Sequence, residues 1–204
     1  MKGSIQITQA FLRSRRSVRR FDGRDVPEDI LQRVVETATW APNAHNRQVW
    51  RFIQLVKEKS RMALADGMGS EFMEALVAEG KSHAEAKAQV MRSRNRILEA
   101  PEAILLCMDT SVLDMYKDPA RSRGEQLMGM QSVALAGGQL LLAAHAEGLG
   151  AVWVCSPLFA QSSVREALEL PEAWEAQGLI LLGYPAQEKA ARPRKPLSDV
   201  LLRL

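Results

Sequence analysis

The stretch "EQLMGMQSVALAGGQLLLAAHAEG", residues 125–148, constrains the fold more than any other part of the chain. Its apolar residues cover most faces of a helix instead of one stripe, so this helix belongs in the centre of the molecule. Gly148 is placed to end it. Gly137 and Gly138 interrupt it, each costing about 1 kcal/mol relative to alanine in a helix interior. Something must therefore approach that backbone, and tight packing against another helix is the plain explanation. The apolar run at 133–144 is too short, and too broken by Gly137, Gly138 and Gln139, to be expected to span a bilayer.

Around this helix the spacing predicts a mixture of elements. "VPEDILQRVVETATWAP" reads as a helix, with Pro27 at its first position, Glu28 and Asp29 in the first turn and Ile30, Leu31, Val34, Val35 and Ala38 at helical spacing. Pro42 ends it. A second helix runs from Lys59 to about Ala78, and "SHAE" at 82–85 is a capping-box signal for a third that ends at Ala100-Pro101. "SVRE" at 163–166 caps a short helix. Strands are expected at 49–56, 103–108, 151–155 and 179–184, with a polar loop over 109–124. At 204 residues and 47% apolar, the chain can bury one substantial core. Periodicity allows a doubly wound α/β or an α+β arrangement and does not choose between them.

Charge is concentrated. Arg13, Arg15, Arg16, Arg19, Arg20 and Arg24 fall within twelve positions of a chain whose net charge is only +3. An arbitrary charge run is a solvated face. Here, however, no lysine interrupts the arginines and Ser17 lies among them. Arginine's planar fork grips phosphate through paired hydrogen bonds, so a small phosphate monoester is the competing reading. With aromatics at 5%, a nucleic-acid surface is not expected. "WAPNAHNRQVW", 40–50, is a polar helix-to-strand connection or a set of amide groups for the edge of a heterocycle. His45, His83 and His145 have no partners at metal-ligand spacing, so no metal is expected. Cys107 and Cys155 both sit in apolar runs that read as buried strands, which fits a reducing cytoplasm more than a disulfide framework. The N-terminal stretch lacks the apolar core of a signal peptide.

Three motifs in order resemble the FMN-dependent nitroreductase-like oxidoreductases. These are "RRSVRRF" at 15–21, "WAPNAHNRQVWRF" at 40–52, and "AHAEGLGAVWVCSP" at 144–157 followed by "LGYP" and "RPRKPL". Within that family the likeness is greatest to the C-terminal domain of the ligase that glutamylates a deazaflavin coenzyme. The resemblance implies one FMN-binding domain over residues 1–204, an α+β fold with a mixed central sheet flanked by helices, and a domain-exchanging homodimer. It further implies ping-pong transfer of electrons from NAD(P)H to an electron-poor small-molecule acceptor. A deazaflavin acceptor, or flavin binding without turnover, are its alternatives. Arg15, Arg16 and Ser17 would hold the FMN phosphate and ribityl region, Arg19 would reach the pyrimidine end, and Arg192 and Arg194 would close on the phosphate. Pro42, Asn43 and Ala44 would line a ring edge. Cys155 and Ser156 of one subunit would lie by the ring of the other, their backbone N–H groups facing flavin N5. His45 and Arg47 would form a cationic rim for the acceptor, unless Arg47 pairs with a nearby carboxylate. No side chain presents itself as a proton donor. Val49, Asn43, Ala44 and Cys155 depart from the usual family residues near the ring, which leaves the acceptor open.

Overall fold

The computed structural model describes residues 2–204. Four strands form one antiparallel sheet in the order β1-β2-β4-β3: β1 is Trp50–Gln54, β2 Glu102–Asp109, β3 Gly150–Val154 and β4 Trp174–Gly183. Register is set by pairs such as Phe52↔Leu106, Ile104↔Ile180 and Trp153↔Ile180. Among the described residues, the parallel character expected of a mixed sheet enters only through an isolated bridge between Ser17 and Ala151.

Helices cover both faces. α2 (Glu28–Ala38) and α5 (Pro119–Ala146) pack on one, α3 (Glu58–Ala78), α4 (His83–Leu98) and α6 (Gln161–Leu168) on the other. β2 shows why its sequence does not alternate. Ile104, Leu106 and Met108 face Leu31, Val34, Val133 and Leu140, while Leu105 and Cys107 face Leu64, Met68 and Ile97. A strand buried on both sides reads as a continuous apolar run. Truncating fully buried Leu106 to alanine would cost about 2–5 kcal/mol.

α5 is central, as its composition demands, but begins six residues before Glu125. Asp118 accepts the Ala120 N–H at 3.0 Å and Pro119 opens the first turn, so the polar residues 119–124 are helical as well. At 28 residues it is long and apolar enough to cross a membrane, contrary to the expectation from 133–144 alone, yet Val133, Ala136, Leu140 and Ala144 are buried in the core. The Gly137 expectation also needs correction. Its neighbour is not a helix but the indole of Trp153 on β3. A Cβ on Gly137 would lie 2.0 Å from Cζ3 of that ring, and one on Gly178 of β4 would lie 2.4 Å from its Cε2. The two glycines make the slot in which Trp153 sits. Gly138 faces open space.

The remaining boundaries differ in instructive ways. The capping box at Ser82 and Glu85 forms as expected. Pro27 is the N-cap of α2 and Glu28 its first residue. α6 starts at Gln161, ahead of "SVRE", because the Gln161 side chain pairs with both backbone groups of Ala176 on β4. Ser163 instead donates its hydroxyl to Glu71. β4 starts five residues before 179, since Trp174 pairs with Asp109. The sequence reading assigns no element before residue 27, where the structure places α1, Lys2–Ser14. Cys107 is buried, and burial pushes its thiol up to about 12. Cys155 lies past the end of β3 and is exposed, not in a buried strand.

Candidate functional site

The arginine segment leaves α1 at Ser14 and runs along the free edge of β3. Val18 N–H donates to Ala151 O at 3.0 Å, Asp22 N–H to Tyr184 O at 3.0 Å, and Ala186 N–H to Arg20 O at 3.1 Å. Gly150 permits the approach, because a Cβ there would lie 2.7 Å from Val18 Cβ. Laid against the edge in this way, Arg15, Arg16 and Ser17 become half-buried.

The buried groups are not satisfied. Arg15 Nη1 and Arg16 Nε are both enclosed and have no hydrogen-bond partner. Arg16 Nη1 is occupied otherwise, donating to the carbonyls of Arg13 and Arg15 at the end of α1. Burial, then the charges of Arg16 and Arg194, hold the Arg15 pKa below its ordinary value. Arg194, far away in sequence, thus lies in the field of Arg15. Lys189 donates to Ser17 O at 2.8 Å, and its pKa is lowered by burial, then by Arg19 and Arg192. Behind the arginines, His145 Nε2 is 2.7 Å from Ser14 Oγ and its ring stacks on Phe11 at 4.9 Å. Burial, then Arg15 and Arg16, depress its pKa. Among the described residues, none of Arg15, Arg16, Arg19, Lys189, Arg192 or Arg194 makes an ion pair. Gathering like charges in partly desolvated surroundings is unfavourable, and an oxyanion with several acceptor atoms relieves it.

The second candidate stretch behaves differently. Between Asn43 and Gln48 the chain makes a short 3₁₀ turn, Ala44–Asn46, and His45, Asn46 and Gln48 all have positive φ, 53°, 52° and 52°. Such residues cost roughly 1–3 kcal/mol each and persist only where the surroundings hold them. Asn43 Oδ1 accepts the Gln48 N–H at 2.9 Å, and Ala44 N–H donates to Ser132 Oγ on α5 at 3.3 Å. The Asn43 side chain is therefore spent on the loop itself. Arg47 bonds Glu125 at 2.9 Å, Val112 O at 3.2 Å and Asp114. Its charge is answered twice over, so it is not the free cation of an acceptor rim. Pro42 and His45 face outward.

Cys155 and Ser156 follow β3, and Ser156 Oγ is enclosed without a partner. They stand past the far end of the same edge strand that Ser17 joins. The 43–48 loop is the separate part. Ser132, which holds it, and His145, beside Arg15, are thirteen residues apart on α5, about 20 Å at the helical rise. One protomer thus assembles Arg15, Arg16, Ser17, Arg19, Arg192 and Arg194 along one edge and carries Pro42, Asn43 and Ala44 elsewhere. Lys189 and His145 join the arginine group without any local signal in the sequence.

Comparison with known proteins bears on the family and the fold. Residues 12–184 match the model of the Nitroreductase family. The NADH dehydrogenase of Thermus thermophilus is 31% identical over 204 aligned positions, covering 92% of this chain and 91% of that one. Among solved structures, a BluB-like flavoprotein from Clostridium difficile superposes with a TM-score of 0.80 at 22% identity, covering 97% of this chain and 98% of its own. A nitroreductase-assigned protein from Desulfovibrio desulfuricans, solved in complex with FMN, gives 0.72 at 25% identity, with 96% and 95% covered. With a matching family model over most of its length and a relative above 30% identity along nearly all of it, the chain belongs to the Nitroreductase family.

Proposed function

We propose that the chain, as one domain over residues 1–204, is an FMN-dependent oxidoreductase that passes electrons from NAD(P)H to an electron-poor small molecule. The observation that carries this reading is the unanswered cationic edge, where the buried Arg15 Nη1 and Arg16 Nε have no partner and Arg194 adds a third charge. A phosphate monoester fits that donor set. When bound, FMN supplies two-electron transfer between a nicotinamide and an acceptor, while the protein supplies placement and charge. Arg15, Arg16 and the Ser17 hydroxyl hold the phosphate and ribityl part, and Arg192 and Arg194 close over it. Arg19 brings positive charge to the pyrimidine end. The backbone N–H groups of Cys155 and Ser156 face the ring from the far end of β3. The names of the Thermus NADH dehydrogenase and of an NADPH:FMN oxidoreductase from Vibrio harveyi, the latter 20% identical with a TM-score of 0.73, fit this chemistry.

Pro42, Asn43 and Ala44 come to that ring from a second copy of the chain, since in one protomer they lie at the other end of α5. The working unit is a homodimer, and the donor and acceptor use one site in turn. The tail supports the pairing, with Leu197, Val200, Leu201, Leu202 and Leu204 all exposed on the protomer. Free Cys107 and Cys155 suit a reducing cytoplasm. A phosphorylated deazaflavin acceptor, implied by the likeness to the ligase domain, loses the cation it rested on, because Arg47 is paired.

The purified protein should show the two-band absorption of a bound flavin and bleach when NADH or NADPH is added without air. A colourless protein that takes up no FMN would overturn the reading. Truncation after Lys195 should lower dimer stability and FMN retention together, and a truncated chain that remains a yellow, stable dimer would remove the tail from the assembly.

A further inference from the structure

His145 stands in the last turn of α5, half-buried behind Arg15 and Arg16, and its neighbours fix where its protons sit. The Ser14 hydroxyl donates its one hydrogen to Phe11 O at 2.7 Å. In the 2.7 Å contact between Ser14 Oγ and His145 Nε2 the serine oxygen can therefore only accept, so the ring carries a hydrogen on Nε2. The stack on Phe11 holds the plane of the ring. A second proton has one place to go, Nδ1, which makes no hydrogen bond among the described residues.

Two influences oppose each other at that nitrogen. The carbonyl end of α5 favours an imidazolium in the last turn. Arg15 and Arg16 disfavour it. No carboxylate offsets the arginines. α1 carries no acidic residue from Lys2 to Ser14, and β3, which packs on α5, carries no titratable group. Glu147, two positions along α5, is paired with Arg33 of α2, which also holds Asp29. The balance at Nδ1 therefore turns on whether the arginines are answered. Unanswered, they repel the proton. An oxyanion lying along them cancels that repulsion and leaves the helix end to favour the charged ring.

We propose that His145 is a proton-binding partner of the anion site: a phosphate held along Arg15 and Arg16 draws a proton onto Nδ1, so that cofactor and proton bind together. The proposal rests on the reading of these arginines as the FMN phosphate site. The linkage has a definite sign. Without the anion, burial and the two arginines hold the ring's pKa below 6.5, and with the anion it rises. Affinity for the phosphate group therefore grows as pH falls through the bound-state value and levels off below the free-state value. FMN's own phosphate works the other way, since it loses charge at about pH 6. Comparison with His145→Gln, which keeps an N–H for Ser14 and takes up no proton, removes that contribution.

Calorimetry at about pH 7 in Tris and in HEPES tests the proposal, because the difference in binding heat between the two buffers gives the protons taken up. Sulfate is the cleanest probe, as its charge does not change near neutral pH. Sulfate should bring about 0.2–0.5 proton onto the unaltered protein and none onto His145→Gln, and riboflavin should bring none onto either. From about pH 8 to about pH 6 the ratio of FMN affinities, unaltered protein over variant, should grow about fivefold. Should the variant fail to fold, NMR of ring-labelled histidine in the unaltered protein gives the same answer, since one of the 3 histidine titration midpoints should rise when sulfate is added. Sulfate that does not bind, or binds without proton uptake, overturns the proposal. So does uptake that survives His145→Gln, or an affinity ratio flat with pH, and FMN binding stands in each case. Failure of FMN to bind sinks the cofactor reading instead, and the sulfate measurements still decide the proton site.

Discussion

Two arginine sites, Arg47 alone and the Arg15–Arg16 cluster, lie toward opposite ends of α5, and they differ in kind. At one end Arg47 meets Glu125, which is 4% exposed, and Asp114, with the Val112 carbonyl as a third partner. At the other, Arg16 and Arg194 both bear on Arg15, and Arg15 and Arg16 keep enclosed N–H groups with no carboxylate partner among the described residues. The first group has its counter-charge within the chain, so its energy is already spent on holding a strained loop. The second lacks one, so its interaction energy is available to a ligand. An arginine's role is set by whether its partner is covalently part of the protein.

The largest effect that would test this contrast is on stability at the paired end. Arg47→Ala leaves the Glu125 carboxylate buried without its cation, and the melting temperature should drop by roughly 5–10 °C, with flavin affinity of whatever folds nearly unchanged. A fall in flavin affinity with no loss of stability would erase the distinction. At the unpaired end the outcome should invert. Arg15→Ala should weaken FMN by about 1.5–3 kcal/mol, the range for a hydrogen bond to a charged group, while riboflavin, which lacks the phosphate, should bind as before. The apoprotein's melting temperature should not fall, because a repulsion has been removed. Thermal melts and fluorescence titrations with the two flavins read both effects.

Arg16 stands between the classes, since Nη1 holds the end of α1 while Nε is free. Arg16→Ala should lose FMN affinity less selectively and also lower the melting temperature, by about 2–4 °C. If it behaves like Arg15→Ala, the helix-end contacts contribute little. The smallest effect concerns His145. Its folded pKa is depressed by burial and by Arg15 and Arg16, so below about 6.5 the unfolded state binds more protons and stability is lost as pH falls. Inorganic phosphate, by answering the arginines, should flatten that slope, and His145→Gln should abolish its part of it. A slope that phosphate leaves unchanged would mean that burial alone sets the His145 pKa.

Much of this architecture was legible before folding was considered. The central position of α5 follows from apolar residues on most of its faces, and the capping box at Ser82 and Glu85 follows from four consecutive residues. Both depend on neighbours within a turn or two. The ordered motifs pointed to the family and gathered the cofactor candidates, because a segment of adjacent arginines keeps its composition in any fold. What resisted was anything decided by a distant neighbour. α6 begins where Gln161 finds Ala176, not where "SVRE" would cap it. Gly137 is required by an indole from β3 and not by a helix.

The same boundary divides the site. By itself the sequence determined that a cationic segment, an amide-rich loop and a central helix would exist, since each is a local matter of residue type and period. Only the tertiary structure decided which charges would be answered. Arg47 and Glu125 are 78 positions apart, and no local pattern couples them. Nor does any pattern bring Arg194 and Lys189 to the edge of β3. Electrostatic roles depend on separation in space and on exclusion of water, and both are properties of the packed chain.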